Sequence, residues 1–392
     1  MKHKWKESTQ ILYEGSEIDG EGLYPESPPI YHSTAYIIED LDDYDRAAKG
    51  EKYYYNRTAN PNRDSLASAI SLLEGSEKSI ICSSGMAAIS TTLFTFVKSG
   101  DHIIVSRSIY GETIELMDRI LKPLGIDISY IDFTDLNLVE NSIKENTVAV
   151  YTEVIANPLI TVVDIEKISQ ISHNHGLLVI VDSTFTTPFV CKPLKYGADI
   201  VIQSLTKFYN GHSDVTAGSI SASKEIIDKI IPVQLLLGGC ADPNSAWMTL
   251  RSIRTMDIRV KRQLENAQKL AQMLSEHPSV KYVNYPSLKS HPQHELAMRT
   301  FEYGYGAMLS FRVEDNRDKV NEFIHRLQLV KYLGTLGGYR TTIAHPATAF
   351  RSEFTQEELV AMGMDEGLIR ISTGIEDIDD LIYDFDQALK VF

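Results

Sequence analysis

A single lysine stands in a polar, turn-rich stretch directly after a short apolar run. Lys207 lies in 203-QSLTKFYNGHSDV-215, which follows the strand-like run 198-ADIVI-202. Most lone lysines are solvated surface residues, and that is one interpretation of this one. The other is that Lys207 forms an imine, which requires a neutral amine and therefore a site that lowers the lysine pKa through desolvation or neighbouring cations. The hydroxyl groups of Ser204 and Thr206 beside it could bind a phosphate.

An acidic residue ends the apolar run 177-LLVIVD-182. Asp182 could cap a helix, hold a metal ion or pair with a protonated ring nitrogen, and the last of these is what pyridoxal 5'-phosphate (PLP) requires of a protein. No His or Glu stands beside Asp182 at the spacing of metal ligands. We therefore rank the metal interpretation last and expect no metal.

Three further segments carry side chains that a PLP site could use. The stretch 83-SSGMAAIS-90 places Ser-Ser-Gly where a strand passes into a helix, and free N–H groups at a helix N-terminus bind phosphate, although a plain helix cap is the alternative. Tyr110 follows the next strand and could stack on a planar ring or simply lie in the core. Arg370 lies between apolar residues, and a buried arginine needs a carboxylate or phosphate partner. Together these residues predict one site.

The order of the elements places this site at one edge of a sheet. From about residue 65 to 225, short β-rich runs alternate with helices of ten or more residues. Such alternation predicts an α/β fold of βαβ units on a mainly parallel sheet. Ligands of these sheets bind beyond the carboxyl ends of the strands, which is where Asp182 and segment 204–207 fall.

The chain divides into three predicted parts. Residues 1–60 are irregular and rich in Pro, Tyr and Glu, so we expect an arm that packs on a neighbouring subunit. Residues 61–255 form the cofactor-binding large domain. Residues 256–392 form a smaller α+β domain, joined to the large one through a long helix over 244–277 without a flexible linker.

Composition excludes several classes of function. The 392 residues carry a formal charge of −15, which argues against nucleic acid or an anionic membrane as the partner. The three cysteines, Cys82, Cys191 and Cys240, are widely spaced and indicate a reducing compartment. No run approaches the ~18 apolar residues of a membrane span. We expect a soluble cytoplasmic protein.

Taken together, the motifs resemble those of the Cys/Met-metabolism (trans-sulfuration) PLP enzymes. This family includes cystathionine γ-synthases, cystathionine γ- and β-lyases, methionine γ-lyases and O-acetylhomoserine sulfhydrylases. The resemblance implies the type I PLP-dependent transferase fold and a homotetramer built from two active dimers. The motifs that carry it span nearly the whole chain: 28-PPIYHSTAY-36, 55-YNRTANPN-62, 83-SSGMAAI-89, Asn157-Pro158, 181-VDSTF-185, 204-SLTKFYNGHSD-214, 336-LGG-338 and 370-RISTGIED-377.

The resemblance also implies a role for each matching residue. Lys207 is expected to be the Schiff-base lysine that shuttles protons between the substrate Cα and Cβ or Cγ. Tyr110 is expected to stack on the cofactor ring and assist acid–base steps, and Arg370 to bind the substrate carboxylate. The remaining cofactor contacts are Asp182 at the ring nitrogen, Asn157 at the ring hydroxyl, Gly85, Met86, Ser204 and Thr206 at the phosphate, and Tyr55 and Arg57 at the phosphate of the neighbouring subunit.

Three expected substrate-binding positions depart from the family pattern. Glu112 follows Tyr110-Gly111, where many relatives carry a small residue and methionine γ-lyases a cysteine, which argues against a dedicated methionine γ-lyase. Arg340 stands where lyases and cystathionine synthases usually carry a glutamate and sulfhydrylases often a basic residue. Thr335 stands where serine is common. We hypothesise that Glu112 and Arg340 form a charge pair that reads the far end of the substrate; a surface ion pair without a role, worth ~0–1 kcal/mol, is the alternative.

The expected reaction is α,γ-elimination from a sulfur-containing or otherwise γ-substituted L-amino acid. Hydrolysis would then yield a 2-oxo acid and ammonia. The alternative is γ-replacement, in which a thiol attacks instead of water, as in cystathionine γ-synthases and O-acetylhomoserine sulfhydrylases. An aminotransferase fits the motifs less well, and so does a non-catalytic PLP-binding homologue, because every cofactor residue is present.

Overall fold

Strands and helices alternate along the first two thirds of the chain and then give way to a second, smaller sheet. The computed structural model describes residues 5–16, 25–351 and 355–392. In chain order the helices are α1 (Glu7–Gln10), α2 (Leu41–Ala48), α3 (Pro61–Glu74), α4 (Gly85–Phe96), α5 (Gly111–Leu116), α6 (Leu136–Asn141), α7 (Ile165–Asn174), α8 (Thr187–Val190), α9 (Lys224–Leu237), α10 (Pro243–Ile253), α11 (Met256–Glu276), α12 (His294–Thr300), α13 (Arg317–Arg326), α14 (Pro346–Ala349), α15 (Gln356–Ala361) and α16 (Ile378–Leu389). The strands are β1 (Lys78–Cys82), β2 (His102–Ser106), β3 (Asp127–Ile131), β4 (Thr147–Glu153), β5 (Ile155–Ala156), β6 (Thr161–Val162), β7 (Leu178–Asp182), β8 (Ile200–Gln203), β9 (Gly218–Ala222), β10 (Tyr282–Asn284), β11 (Met308–Arg312), β12 (Lys331–Tyr332), β13 (Thr342–Ala344) and β14 (Leu368–Ser372).

The larger sheet has seven strands in the order β1-β9-β8-β7-β4-β2-β3. β9 runs antiparallel to its two neighbours, β1 and β8, and the other pairs are parallel. Successive side chains of a strand point to opposite faces, so Val179 and Val181 enter one hydrophobic core and Ile180 the other. Helices α3, α7 and α10 cover the first face, and α4 and α9 cover the second. The predicted α/β fold with a mostly parallel sheet is confirmed.

The second sheet follows in the C-terminal third of the chain. Its five strands lie in the order β10-β11-β14-β13-β12, and all pairs except β12 with β13 are antiparallel. Helices α11, α13 and α16 pack on it around Phe311, Phe323 and Phe385. The middle strand β14 carries Arg370 and so directs a cation toward the large sheet.

The helix predicted over 244–277 is two helices, α10 and α11, with a break at Arg254 and Thr255. Thr255 has backbone angles of φ −109° and ψ 7°, which lie outside helical geometry. The buried guanidinium of Arg259 donates to the carbonyl oxygen of Ser252 at 3.0 Å and to that of Tyr209 at 3.1 Å. Arg259 thereby adds a hydrogen bond to a carbonyl at the break, and it ties the helix pair to the segment after Lys207.

The N-terminal arm lies partly on its own chain. Trp247 donates its indole N–H to the carbonyl oxygen of Pro28 at 2.7 Å, and Lys192 pairs with Glu7 at 2.6 Å. Most of the described arm residues are nonetheless exposed or half-buried, among them Ile37 and Leu41. The division into an arm, a large domain and a C-terminal domain stays a prediction.

Candidate active site

A cavity of about 240 Å³ opens where the strands of the large sheet end. Strands β4, β7 and β8 deliver side chains to it from their carboxyl ends, as expected for an α/β sheet. The C-terminal part of the chain closes it with Gly334, Leu336 and Arg370. Ten predicted site residues line the cavity: Gly85, Met86, Tyr110, Glu112, Asn157, Asp182, Ser204, Thr206, Lys207 and Arg370.

Lys207 sits in a tight turn after β8, and a glycine from the loop between β12 and β13 packs against this turn. Its backbone N–H donates to the carbonyl oxygen of Ser204 at 3.1 Å, and its own carbonyl oxygen accepts from Gly211 at 2.7 Å. Gly337, at φ +74°, packs so closely that an added Cβ would lie 2.7 Å from the backbone nitrogen of Phe208. Burial lowers the pKa of Lys207, the charge of Arg370 lowers it further, and Glu112 opposes both. An imine-forming lysine needs this environment.

Two acidic side chains lie together at the floor of the cavity. Asp182 ends β7 and accepts a hydrogen bond from the backbone N–H of Thr184 at 2.9 Å. Glu153 ends the adjacent strand β4 in register with Asp182. Burial raises the pKa of both carboxyl groups, and Asp182 raises that of Glu153 further. Our sequence reasoning missed Glu153, although it ends an apolar strand just as Asp182 does, and that signal could have revealed it.

The start of α4 forms a polar cradle beside Lys207. Ser84 caps the helix by accepting from the backbone N–H of Ala87 at 3.0 Å. At Gly85 an added Cβ would lie 3.0 Å from the Cβ and 3.1 Å from the Oγ of Ser204, so glycine keeps this space open. The Thr206 hydroxyl accepts from the backbone N–H of Ala217 at 3.0 Å. The cradle matches the geometry with which helix N-termini bind phosphate.

Tyr110 and Glu112 form the side wall of the cavity where α5 begins. Burial raises the pKa of Tyr110, and a hydrogen bond from its hydroxyl to the Glu112 carboxylate raises it further, while Arg370 opposes both. The Tyr110 phenol therefore keeps its proton near neutral pH. Tyr110 is 41% exposed and lines the cavity, so its side chain is accessible to a ligand.

Arg370 reaches across from β14 to close the cavity. Its Nη1 donates to the side-chain oxygen of Asn157 at 3.0 Å, and its Nη2 donates to the carbonyl oxygen of Thr335 at 3.4 Å. Thr335 thus contributes its backbone oxygen to the site. Within the described residues, the buried Nε of Arg370 has no hydrogen-bond partner. Burial lowers the pKa of Arg370 to about 10, so it stays charged at neutral pH with a donor to offer an anion.

Four predicted residues are not among those that line this cavity: Thr335, which contributes its backbone oxygen to Arg370, and Tyr55, Arg57 and Arg340. The guanidinium of Arg57 donates to the carbonyl oxygen of Leu235 at 2.8 Å and lies 5.5 Å from the ring centre of Tyr55. Tyr55 is 37% exposed. Arg340 lies 5.1 Å from the ring centre of its neighbour Tyr339.

The hypothesised charge pair between Glu112 and Arg340 stays a prediction. No ion pair within the described ranges joins the two residues. Glu112 instead hydrogen-bonds to Tyr110 inside the cavity, whereas Arg340 is held on the aromatic face of Tyr339 by a cation–π contact. The path of the loop after Gly338 determines where the Arg340 side chain lies.

The fold and the site define a type I PLP-dependent enzyme. The sequence profile of the family described as "Cys/Met metabolism PLP-dependent enzyme" matches residues 8–390, and the chain belongs to this family. It is similar to an L-methionine gamma-lyase of Fusobacterium nucleatum subsp. polymorphum, with 39% identity over 92% of this chain and 93% of that protein. It is also similar to a cystathionine gamma-lyase of Bacillus subtilis (strain 168), with 38% identity over 98% and 99% of the two chains. Its fold matches the crystal structure of cystathionine gamma-lyase from Lactobacillus plantarum complexed with L-serine, with a TM-score of 0.91 and 33% identity over 99% of each chain.

The residues present fit the cofactor of this family, PLP. A buried carboxyl group, Asp182, can face a ring nitrogen, and the start of α4 can face a phosphate. Lys207 supplies an amine whose neutral form is favoured. The Nε of Arg370, which has no hydrogen-bond partner within the described residues, gives the site a hydrogen-bond donor that an anion can use.

Proposed function

We propose that the chain is a carbon–sulfur lyase that removes the γ-substituent of a sulfur-containing L-amino acid. One observation carries the proposal: a lysine with a lowered pKa, a buried acid and an arginine with a free donor share one cavity. The names of the relatives, methionine and cystathionine gamma-lyases, support the substrate class.

The proposed cofactor contacts follow the lining of the cavity. Bound PLP supplies an electron sink for the bonds at the amino-acid Cα. Asp182 would hold its ring nitrogen and Asn157 its ring hydroxyl. The phosphate would be held by the start of α4 and the turn before Lys207, that is, by Gly85, Met86, Ser204 and Thr206.

The chain's own residues would move the protons. Lys207, whose neutral form is favoured by burial and by Arg370, takes a proton from Cα and later serves Cβ. Tyr110, which keeps its proton beside Glu112, donates to the sulfur that departs from Cγ. Arg370 binds the α-carboxylate and fixes the orientation of Cα. With L-cystathionine and one water, the balanced products are L-cysteine, 2-oxobutanoate and ammonia.

Glu112 is proposed to read the far end of the substrate. Its carboxylate lies in the cavity wall and suits a distal ammonium group, which cystathionine has and methionine lacks. Glu112→Gln should raise the KM for L-cystathionine about 10-fold, because a charge-assisted hydrogen bond is lost. The KM for L-methionine should change little. Equal changes for the two substrates would contradict this role.

We further propose a cytoplasmic homotetramer built from two active dimers. Tyr55 and Arg57 lie outside their own cavity, which suits contacts to the phosphate of a neighbouring subunit. Large apolar side chains of the arm, such as Ile37 and Leu41, are exposed in the single chain. Within the part of the chain that the structure describes, no helix is long and apolar enough to cross a membrane.

The test is the product balance of purified, PLP-loaded protein with L-cystathionine. Equal amounts of 2-oxo acid and ammonia support elimination. An added thiol that is incorporated into a new thioether, without oxo acid, would favour γ-replacement. A protein that binds PLP and gives neither product would support the non-catalytic interpretation.

A further inference from the structure

Glu153 is a buried acid that the proposed chemistry does not use. It is the last residue of β4 and pairs in register with Asp182, the last residue of β7. The two residues are 7% and 9% exposed. Two acidic groups placed side by side in a buried site oppose ionisation of one another, so the pair carries a cost in stability that an apolar residue at 153 would avoid.

The contacts of Glu153 run to both walls of the cavity. Its Oε1 accepts a hydrogen bond from the backbone N–H of Tyr110 at 2.7 Å. The backbone N–H of Asn157 also lies near the Glu153 carboxyl group and opposes the rise of its pKa. The Glu153 side chain therefore contacts both the start of α5, next to Tyr110 and its phenol, and the loop after β5, which carries the Asn157 amide.

The groups that face Glu153 favour its protonated form. Burial is the main cause of its raised pKa, and the carboxyl group of Asp182 adds to it. Tyr151, two residues earlier on the same strand, is also buried and has a raised pKa, so it contributes no charge near neutral pH. Asp182 can then be the ionised member of the pair when a cation faces it.

We propose that Glu153 is a positioning residue of the reaction. It sets the backbone of Tyr110 and Asn157 relative to Asp182, so that the Tyr110 phenol, the Asn157 amide and the Asp182 carboxyl group are held in fixed positions around the cofactor ring. This inference rests on the proposed function, because the roles of those three residues are part of it. Glu153 itself works through the hydrogen bonds that it accepts and needs no charge.

The test compares two variants of similar volume. Glu153→Gln keeps an acceptor oxygen, whereas Glu153→Met fills the space without one. We expect Glu153→Gln to keep PLP affinity and kcat within about 3-fold of wild type, and Glu153→Met to lose about 10- to 100-fold in each, because the backbone N–H of Tyr110 loses its acceptor. KM should change less than kcat. Glu225→Gln, an exposed residue paired with Lys229, is the matched control.

PLP affinity is measured by titrating the apoproteins and following the visible absorbance of the bound cofactor. Thermal unfolding of the apoproteins separates positioning from stability alone. A Met variant with wild-type affinity and kcat overturns the proposal, and so do Gln and Met variants that are equally impaired. If the wild type releases no oxo acid, the proposed function fails. The PLP affinities of the wild type and the two Glu153 variants still decide the role of Glu153.

Discussion

Arg370 and Asn157 join the two sheets at the active site, because the guanidinium Nη1 donates to the amide oxygen across 3.0 Å. Arg370 belongs to β14 of the five-stranded sheet, and Asn157 directly follows β5, the short strand that comes after β4 of the seven-stranded sheet. The proposed carboxylate clamp and the proposed ring-side amide therefore have a fixed separation. Binding of the substrate carboxylate and orientation of the cofactor ring become coupled through this contact.

Substituting Arg370 by lysine should impair substrate binding although the charge is kept. A lysine has no planar fork, so it cannot hold Asn157, the Thr335 carbonyl and a carboxylate together. We expect KM to rise about 10- to 100-fold, the range for loss of charge-assisted hydrogen bonds. Steady-state kinetics with L-cystathionine measures this, with Arg326→Lys on the surface as the control. An unchanged KM would contradict the assignment of the clamp.

The reactivity of Lys207 should depend on two neighbours in opposite directions. Because burial and Arg370 lower its pKa, the amine becomes neutral at a lower pH than an ordinary lysine. Arg370→Gln should move the pH midpoint of amine labelling upward, and Glu112→Gln should move it downward, since Glu112 raises the Lys207 pKa. Peptide mass spectrometry of the apoprotein measures labelling against pH, with exposed Lys98 as the internal reference. Shifts of the same sign in the two variants would refute this account.

The location of the site at one edge of the sheet could be predicted from the sequence, because β-rich runs and the residues that end them are local features. Lys207 and Asp182 could be placed at one site since carboxyl ends of parallel strands share an edge. Glu153, like Asp182, ends an apolar strand, but its pairing with Asp182 depends on the register between β4 and β7, which the sequence does not show. The charge pair of Arg340 with Glu112 stays a prediction, because the sequence does not show where a loop directs a side chain.

A buried acid beneath the lysine turn should make stability depend on pH. Glu74 is 1% exposed and accepts hydrogen bonds from the Gln203 side chain at 2.9 Å and from the Tyr209 hydroxyl. Burial raises its pKa from 4.5 to about 7. Between these two values the unfolded chain is ionised while the folded chain still holds the proton, so the folded state loses stability as pH rises.

Glu74→Gln should remove this dependence. Since one pKa unit corresponds to about 1.4 kcal/mol, the variant should gain about 3 kcal/mol relative to wild type between pH 4.5 and 7. Urea unfolding of the apoproteins at pH 5, 6, 7 and 8 measures the difference, with Glu225→Gln as the exposed control. A difference that does not grow with pH would show that Glu74 is not a buried acid in the folded chain.

The cradle at the start of α4 should tolerate no side chain at position 85. Gly85→Ala places a Cβ 3.0 Å from that of Ser204, inside normal contact distance and within the space proposed for the phosphate. We expect PLP affinity to fall about 10-fold or more, because displacing charge-assisted phosphate contacts costs about 1.5–3 kcal/mol. Cofactor titration of the apoprotein measures this, and Ser90→Ala on the same helix is the control. Undiminished affinity would place the phosphate elsewhere.

The most direct test of the proposed function is the identity of the 2-oxo acid that the PLP-loaded protein releases from L-cystathionine. We expect 2-oxobutanoate, with L-cysteine and ammonia in equal amounts, and loss of this activity by about 10³-fold or more in Lys207→Ala, the range for removing a proton-transfer residue. Pyruvate would show β-elimination instead. No oxo acid from a protein with its cofactor bound would contradict the proposed lyase.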